Sequence, residues 1–264
     1  MAVSKQISKI KQEIVNFKRI IDSTLLWRNI YLESSDPSDL IKNGVEVYPK
    51  VISKKECSDI IGEIRKFESE ESPPNDKHDN AVVDTKITQY YDIDKKLTDS
   101  RISDLGERFS KLLENCLDNR FVVKRSACVY QKDDIDISST KRQSHIDSYV
   151  GTHKVFLYLT DVLKPGYGPY NYFVGSHRKY IFLKLVNQFL NLILGRQRGS
   201  MYNFFNSIIE PQICMHEKGT AILGNQTGIH KGHSPQDEGP REILMFYYSI
   251  VPKKKEATPI SESE

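Results

Sequence analysis

Cysteine is scarce in this sequence, and the cysteines lie far apart. The 264 residues contain four, and no two form a C-x-x-C pair: Cys57, Cys116, Cys128 and Cys214. A zinc site with the usual cysteine spacing and a dense disulfide framework are therefore both unexpected. Reduced thiols are typical of cytoplasmic proteins, so we expect a cytoplasmic location.

The sequence also lacks a large excess of charge and a long apolar run. The 38 basic and 35 acidic residues leave a net charge of +3, and no basic block is interleaved with aromatic residues. Nucleic acid is therefore not an expected partner. The most apolar stretch, 180–194, contains Lys184 and Asn187 and is too short and too polar to be a transmembrane segment. Charges recur throughout residues 1–10, so no secretory signal is expected there.

The chain divides into a helical start and a strand-rich remainder. Apolar residues recur at three- and four-residue intervals from about 4 to 32, which predicts an amphipathic helix within an N-terminal helical extension over 1–42. Two more helices are predicted at about 54–67 and 102–117. The polar stretch 68–80 predicts an exposed loop, and 253–264 predicts a disordered tail.

From Phe121 onward, β-branched and aromatic residues dominate. Short runs between polar turns predict strands at 121–130, 143–149, 154–161, 170–174, 220–223 and 243–251. This series predicts one mainly β domain over 43–252, with a closed or sandwich-like architecture. A helical insertion at about 179–212 separates the fourth of these strands from the fifth.

The triplet His145-Ile146-Asp147 is the first candidate for chemistry. Side chains two apart on a strand point to the same face, so the imidazole and the carboxylate would lie together. They would be two of the three ligands of a facial triad, which binds Fe(II) and leaves adjacent positions open for a cosubstrate and O₂. Five histidines are candidates for the second histidine ligand, and the residue pattern does not choose among them: His153, His177, His216, His230 and His233. The glycine-rich segment 224–235 contains two of these.

Arg241 is the second candidate, because it begins a strand so apolar that both faces are expected to be buried. A buried arginine needs an anionic partner, and its planar fork suits the distal carboxylate of a dicarboxylate cosubstrate. A salt bridge to Glu242 or Glu238 is the alternative.

These elements, in this order, resemble the phytanoyl-CoA dioxygenase (PhyH) family of Fe(II)/2-oxoglutarate-dependent oxygenases. The resemblance covers about 43–252 and rests on the entry 44–57, the H-x-D triplet, the strand 154–161, Gly168-Pro169, the turn 174–178, the segment 219–223, His230 to Gly232, and Arg241. It implies a double-stranded β-helix, a jelly-roll barrel of the cupin type with flanking helices.

The same resemblance implies roles for individual residues. His145, Asp147 and His230 would bind Fe(II), with His233 as the fallback ligand, and Arg241 would hold 2-oxoglutarate. The implied activity is hydroxylation of a small organic substrate, such as a lipid-like molecule, a sugar or a natural-product intermediate, while 2-oxoglutarate and O₂ are converted to succinate and CO₂. A barrel that binds a ligand without catalysis, and a hydroxylase that acts on a protein, are the alternatives.

Substrate contacts are expected from polar and aromatic residues near the H-x-D triplet. Tyr130 and Gln131 lie on the preceding strand, and Tyr170 and Tyr172 follow a glycine-containing turn. The apolar helix 180–194 would be a lid, a dimer contact or a helix packed on the barrel. The oligomeric state is open.

Overall fold

The computed structural model describes residues 2–70, 81–84, 87–97, 100–134, 144–148, 151–194, 209–232 and 240–253. The helices are α1 (Ala2–Glu33), α2 (Asp39–Asn43), α3 (Lys54–Glu70), α4 (Ile93–Lys96), α5 (Arg101–Cys116) and α6 (Ile181–Leu194). The strands are β1 (Val45–Tyr48), β2 (Ala81–Asp84), β3 (Ile87–Tyr91), β4 (Phe121–Asp133), β5 (Thr152–Tyr158), β6 (Tyr170–Tyr172), β7 (Gln212–Cys214), β8 (Ala221–Asn225), β9 (His230–Lys231) and β10 (Arg241–Pro252).

The strands form two antiparallel sheets. The larger has the order β1-β8-β5-β10-β4-β3-β2, and the smaller has the order β7-β6-β9. From β1 to β4 in this order, neighbouring strands of the large sheet come from distant parts of the sequence, as in a jelly roll, whereas β4, β3 and β2 are consecutive strands of the chain. The fold is therefore mainly β with flanking helices, as predicted.

The large sheet separates two cores. On one face, side chains such as Leu244 and Phe246 of β10 pack with Phe109 of α5 and with Trp27 of α1. On the other face, Ile243 and Met245 pack toward the small sheet with Tyr170 and Tyr172. Because successive residues of a strand point to opposite faces, the helices cover one side and the other side forms a cavity between the sheets.

The predicted N-terminal helix and the predicted helix in the most apolar stretch are both confirmed. The helix predicted at 4–32 is α1, and the one predicted at 180–194 is α6. The two helices pack together, and the buried Lys184 ammonium of α6 donates to the carbonyl of His177 (3.2 Å) and to Thr24 of α1 (3.5 Å). In the described residues, no helix is both long and apolar enough to span a bilayer.

Four local predictions need correction or fall outside the described residues. The H-x-D triplet is not in a strand, because only His145 forms a bridge, to His230, and Asp147 lies in a bend. Strand β4 runs three residues further than predicted, to Asp133, because it pairs with β10 along that length. The predicted disordered tail lies outside the described residues beyond 253, and so does the predicted loop beyond 70.

Candidate metal centre

Three side chains that can bind a metal meet at the edge of the cavity between the sheets. One ligand atom from each of His145, Asp147 and His230 lies within 4.8 Å of the other two. The backbones of the two histidines form a reciprocal pair, from His145 N to His230 O (2.9 Å) and from His230 N to His145 O (3.0 Å). This bridge brings the two imidazoles to a centroid distance of 4.6 Å. Residues 85 apart in sequence thus become adjacent.

His230 is held in the tautomer that a metal ligand needs. Its Nδ1 lies 3.0 Å from the carbonyl oxygen of Gly228, and a carbonyl can only accept, so Nδ1 carries the proton. The lone pair of Nε2 then faces Asp147, at 3.5 Å. Burial lowers the pKa of His230, although Asp147 partly opposes this. A neutral imidazole is the form that binds metals.

Asp147 is ionised and surrounded by nitrogen donors. Its Oδ1 lies 3.1 Å from Nε2 of His145, and its Oδ2 lies 2.5 Å from Nζ of Lys154. Burial would raise the pKa of Asp147, but the charge that His230 carries when it is protonated, together with His145 and the Lys154 ammonium, outweighs burial and holds the pKa well below its ordinary value. The carboxylate is therefore available as an anionic ligand at neutral pH.

The three residues open onto a cavity of about 180 Å³. Its floor consists of alternate residues of four neighbouring strands, since such residues share one face of the sheet. These are Gln89 of β3, Gln131 of β4, Arg241, Ile243, Met245 and Tyr247 of β10, and Lys154, Phe156 and Tyr158 of β5. Tyr170 and Gly232 complete the lining. The cavity is thus aromatic and apolar, with a few charged and amide groups.

Arg241 lines this cavity, but it already has an anionic partner. Its Nε and Nη2 donate to Oδ2 of Asp133, which faces it directly across the β4–β10 pair, and its Nη1 donates to the carbonyl of Gly168. Asp133 is fully buried and also accepts from Gln131 at 2.8 and 2.9 Å. The alternative partner Glu242 instead binds Arg65 and Tyr130, and Glu238 lies outside the described residues.

The four residues suggested for substrate contact fall in different places. Gln131 and Tyr170 line the cavity. Tyr172 is buried behind His230, with its ring parallel to the imidazole at 6.5 Å. Tyr130 points into the core beneath the helices, where its hydroxyl donates to Glu242 at 2.9 Å. Because Tyr130 and Gln131 are adjacent on β4, they face opposite sides, and Tyr130 cannot contact a molecule in the cavity.

The other histidines lie away from the triad or outside the described residues. His153 and His177 are buried beside Trp27, at ring distances of 5.4 and 5.7 Å, and burial lowers the pKa of each to about 3. His216 forms a bridge with Val162 at the end of the small sheet. His233 lies outside the described residues.

Two charged residues at the site were not anticipated from the sequence. Lys154 contacts Asp147, and Asp133 contacts Arg241. For Lys154 a signal existed, because it is a charged residue on an apolar strand and is two and four residues from Phe156 and Tyr158. For Asp133 the sequence offers no signal, because its partner Arg241 lies 108 residues away and the register between β4 and β10 cannot be read from the sequence.

No protein-family model and no curated protein matches the chain. Solved structures do match. The non-haem 2-oxoglutarate-dependent carbocyclase SnoK from nogalamycin biosynthesis is 14% identical over 83% of this chain and 85% of its own, with a TM-score of 0.58. HygX from Streptomyces hygroscopicus, solved with nickel and 2-oxoglutarate, is 17% identical over 80% and 84%, with a TM-score of 0.54. EctD from S. alaskensis, solved with iron, is 14% identical over 80% and 74%, with a TM-score of 0.61.

These similarities establish the fold of the chain. The chain has the same mainly β, jelly-roll fold as SnoK, HygX and EctD. The narrower resemblance to the phytanoyl-CoA dioxygenase family stays a prediction.

Proposed function

We propose that the protein is an Fe(II)- and 2-oxoglutarate-dependent oxygenase that oxidises a small organic molecule. The observation that carries the proposal is the convergence of His145, Asp147 and His230 at the cavity between the sheets. Two histidines and one carboxylate are the ligand set of non-haem Fe(II) oxygenases. The fold similarity to such enzymes supports the same conclusion.

The donor atoms fit a divalent metal. Both imidazole Nε2 atoms and the Asp147 carboxylate face one another, and the proton on Nδ1 of His230 leaves its Nε2 free to bind. A single carboxylate would leave a bound Fe(II) with a charge of +1, which favours an anionic cosubstrate. His145, Asp147 and His230 would therefore be the metal ligands.

Only part of the Arg241 guanidinium remains available to the distal carboxylate of 2-oxoglutarate. A guanidinium has five N–H donors, and contacts from Nε, Nη1 and Nη2 to Asp133 and Gly168 leave one N–H on each Nη. These can bind a carboxylate from the cavity side, while Asp133 fixes the plane of the guanidinium. The cosubstrate would then share Arg241 with Asp133.

When bound, Fe(II) and 2-oxoglutarate supply O₂ activation, in which one oxygen atom goes to succinate and the other is available to oxidise the substrate. The chain positions the reactants and excludes water. Phe156, Tyr158, Tyr170 and Met245 give the cavity apolar walls. Gln89 donates one amide hydrogen to Gln131 and keeps a second N–H that can donate to a substrate. We propose hydroxylation as the outcome. Because SnoK is a carbocyclase, ring closure by the same oxidation is the second candidate.

The test is conversion of 2-oxoglutarate to succinate by the purified protein with Fe(II) and O₂. Slow turnover without substrate is expected, and it should be lost in His145→Ala, Asp147→Ala and His230→Ala variants that remain folded. His233→Ala, the matched histidine variant three residues from His230, should retain it. Loss of turnover in His233→Ala alone would overturn the ligand assignment, and no turnover in any folded protein would favour a non-catalytic binding barrel.

A further inference from the structure

Lys154 has an unusual position for a lysine, because its ammonium is enclosed beside the candidate metal centre. Nζ lies 2.5 Å from Oδ2 of Asp147 and 4.7 Å from the centre of the Tyr247 ring. Only 15% of the side chain is exposed. An enclosed ammonium is stable only when it is paired, so the contact with Asp147 is a specific one.

The sheet places Lys154 there. On β5 it faces Gly224 of β8 on one side and Tyr247 of β10 on the other. Gly224 adds no side chain on this face, where a Cβ would meet Tyr170 and Gln226, and the Tyr247 ring lies on the opposite side of Lys154. The aliphatic stem of Lys154 is thus directed along the sheet surface, and its ammonium reaches the bend that contains Asp147.

The two oxygens of Asp147 have different neighbours. Oδ1 is 3.1 Å from His145, whereas Oδ2 is 3.5 Å from His230 and 2.5 Å from Lys154. A carboxylate that binds a metal through one oxygen leaves the other to be held by an outer partner. We propose that Lys154 is a positioning residue: it holds the second oxygen of Asp147 so that the carboxylate presents one oxygen to the metal. The inference rests on the proposed metal binding.

The direction in which metal affinity changes when Lys154 is replaced separates a positioning role from a purely electrostatic one. A positive charge repels a divalent cation, so if Lys154 acted only through its charge, its removal would tighten metal binding. If Lys154 orients Asp147, its removal weakens metal binding, since loss of an outer partner typically weakens metal affinity by about 10- to 100-fold.

The experiment is a titration of metal-free protein with Co(II), followed by visible absorbance, with thermal unfolding of each metal-free variant as a check of folding. Lys154→Met removes the donor and the charge, Lys154→Gln retains a donor without charge, and Lys154→Arg retains both. Positioning predicts that affinity falls roughly tenfold or more in Lys154→Met, falls less in Lys154→Gln and is largely retained in Lys154→Arg.

Lys96→Met is the matched control, because Lys96 also lies over an aromatic ring, that of Phe67, at 5.8 Å, but on the helical side of the large sheet. Its Co(II) affinity should equal that of the unmodified protein. Tighter or equal binding by Lys154→Met, or by Lys154→Gln where the methionine variant does not fold, overturns the positioning role while metal binding stands. If the unmodified protein binds no Co(II), the proposed function falls together with this inference.

Discussion

Arg241 and Asp133 form a buried pair in which each residue depends on the other. Removing the arginine alone leaves the Asp133 carboxylate buried without its cation, which typically costs about 3–5 kcal/mol. We predict that Arg241→Met both lowers the free energy of unfolding and raises the 2-oxoglutarate concentration required. Urea unfolding and 2-oxoglutarate titration measure the two effects.

A double variant separates these effects. Adding Asp133→Asn to Arg241→Met removes the uncompensated charge, so most of the lost stability should return while 2-oxoglutarate binding stays weak. Unchanged 2-oxoglutarate affinity in both variants would mean that another residue holds the carboxylate.

Two glycines, each two residues from His230, should respond differently to the same substitution. A Cβ at Gly228 would clash with the Tyr172 hydroxyl and crowd Ser176, whereas one at Gly232 would meet no atom within 4 Å in the described residues. We predict that Gly228→Ala destabilises the protein by about 1–3 kcal/mol, as overpacking does. The Gly232→Ala variant should unfold within a degree or two of the unmodified protein, and equal unfolding temperatures for the two variants would contradict the packing described.

At the scale of single residues, the chemical type of each side chain can be read from the sequence, but the side chains that it contacts in the fold cannot. His145, Asp147 and Arg241 could be proposed because an H-x-D triplet and an arginine on an apolar strand are chemically distinctive. The contacts of Lys154 and Asp133 depend on strand register, which no local pattern specifies. For the same reason, the sequence did not show which face of the sheet Tyr130 lies on, since that face follows from the register of β4.

Helix α6 packs on α1 through a lysine that has no carboxylate contact among the described residues. Burial lowers the pKa of Lys184 to about 7, from an ordinary value of 10.5. Between pH 7 and 10.5 the unfolded chain therefore holds a proton that the folded protein lacks, so stability should rise with pH across this window. The full contribution is on the order of 5 kcal/mol, and it is absent below pH 7.

The measurement is the free energy of unfolding from urea titrations between pH 7 and 10. Lys184→Met should remove most of the rise, whereas Lys179→Met, at an exposed lysine five residues earlier, should retain it. An equally steep rise in Lys184→Met would show that another group is responsible.

Helices and strands with a clear repeat of apolar residues could be predicted from the sequence, whereas very short strands could not. Helices α1 and α6 and strands β4 and β10 are long enough for the spacing of apolar residues to reveal them. Strands β7 and β9 have three and two residues and exist because they pair with β6. Their sequences carry no period, since tertiary pairing rather than local propensity forms them.

At the scale of the whole molecule, buried histidines and tyrosines limit stability at the two ends of the pH range. Burial lowers the pKa of His153 and His177 to about 3, so as pH falls from 6.5 to 3 the unfolded chain binds protons that the folded protein excludes, and stability falls. Burial raises the pKa of Tyr158 and Tyr172, so above pH 10 the unfolded chain ionises first and stability falls again.

We therefore predict maximum stability between about pH 7 and 10. Unfolding free energies measured from pH 4 to 11 check this prediction. A maximum near pH 5 would contradict the neutral, buried state of His153 and His177.

The series of short β runs predicts a closed or sandwich-like β architecture, and the family resemblance implies a jelly roll. The two antiparallel sheets and the similarity to solved enzymes of this fold confirm that fold class. The meeting of His145 with His230 could only be inferred by resemblance, because it requires the chain to return across two sheets to the same bridge.

We propose that Asp147 and the bridged His145 and His230 form an Fe(II) site that also binds 2-oxoglutarate. The most direct measurement is an anaerobic titration of metal-free protein with Fe(II) and then 2-oxoglutarate, followed by visible absorbance. We predict a charge-transfer band of a chelated 2-oxoacid in the unmodified protein and no band in His145→Ala. A folded, unmodified protein that shows no band would contradict the proposed Fe(II) and 2-oxoglutarate site.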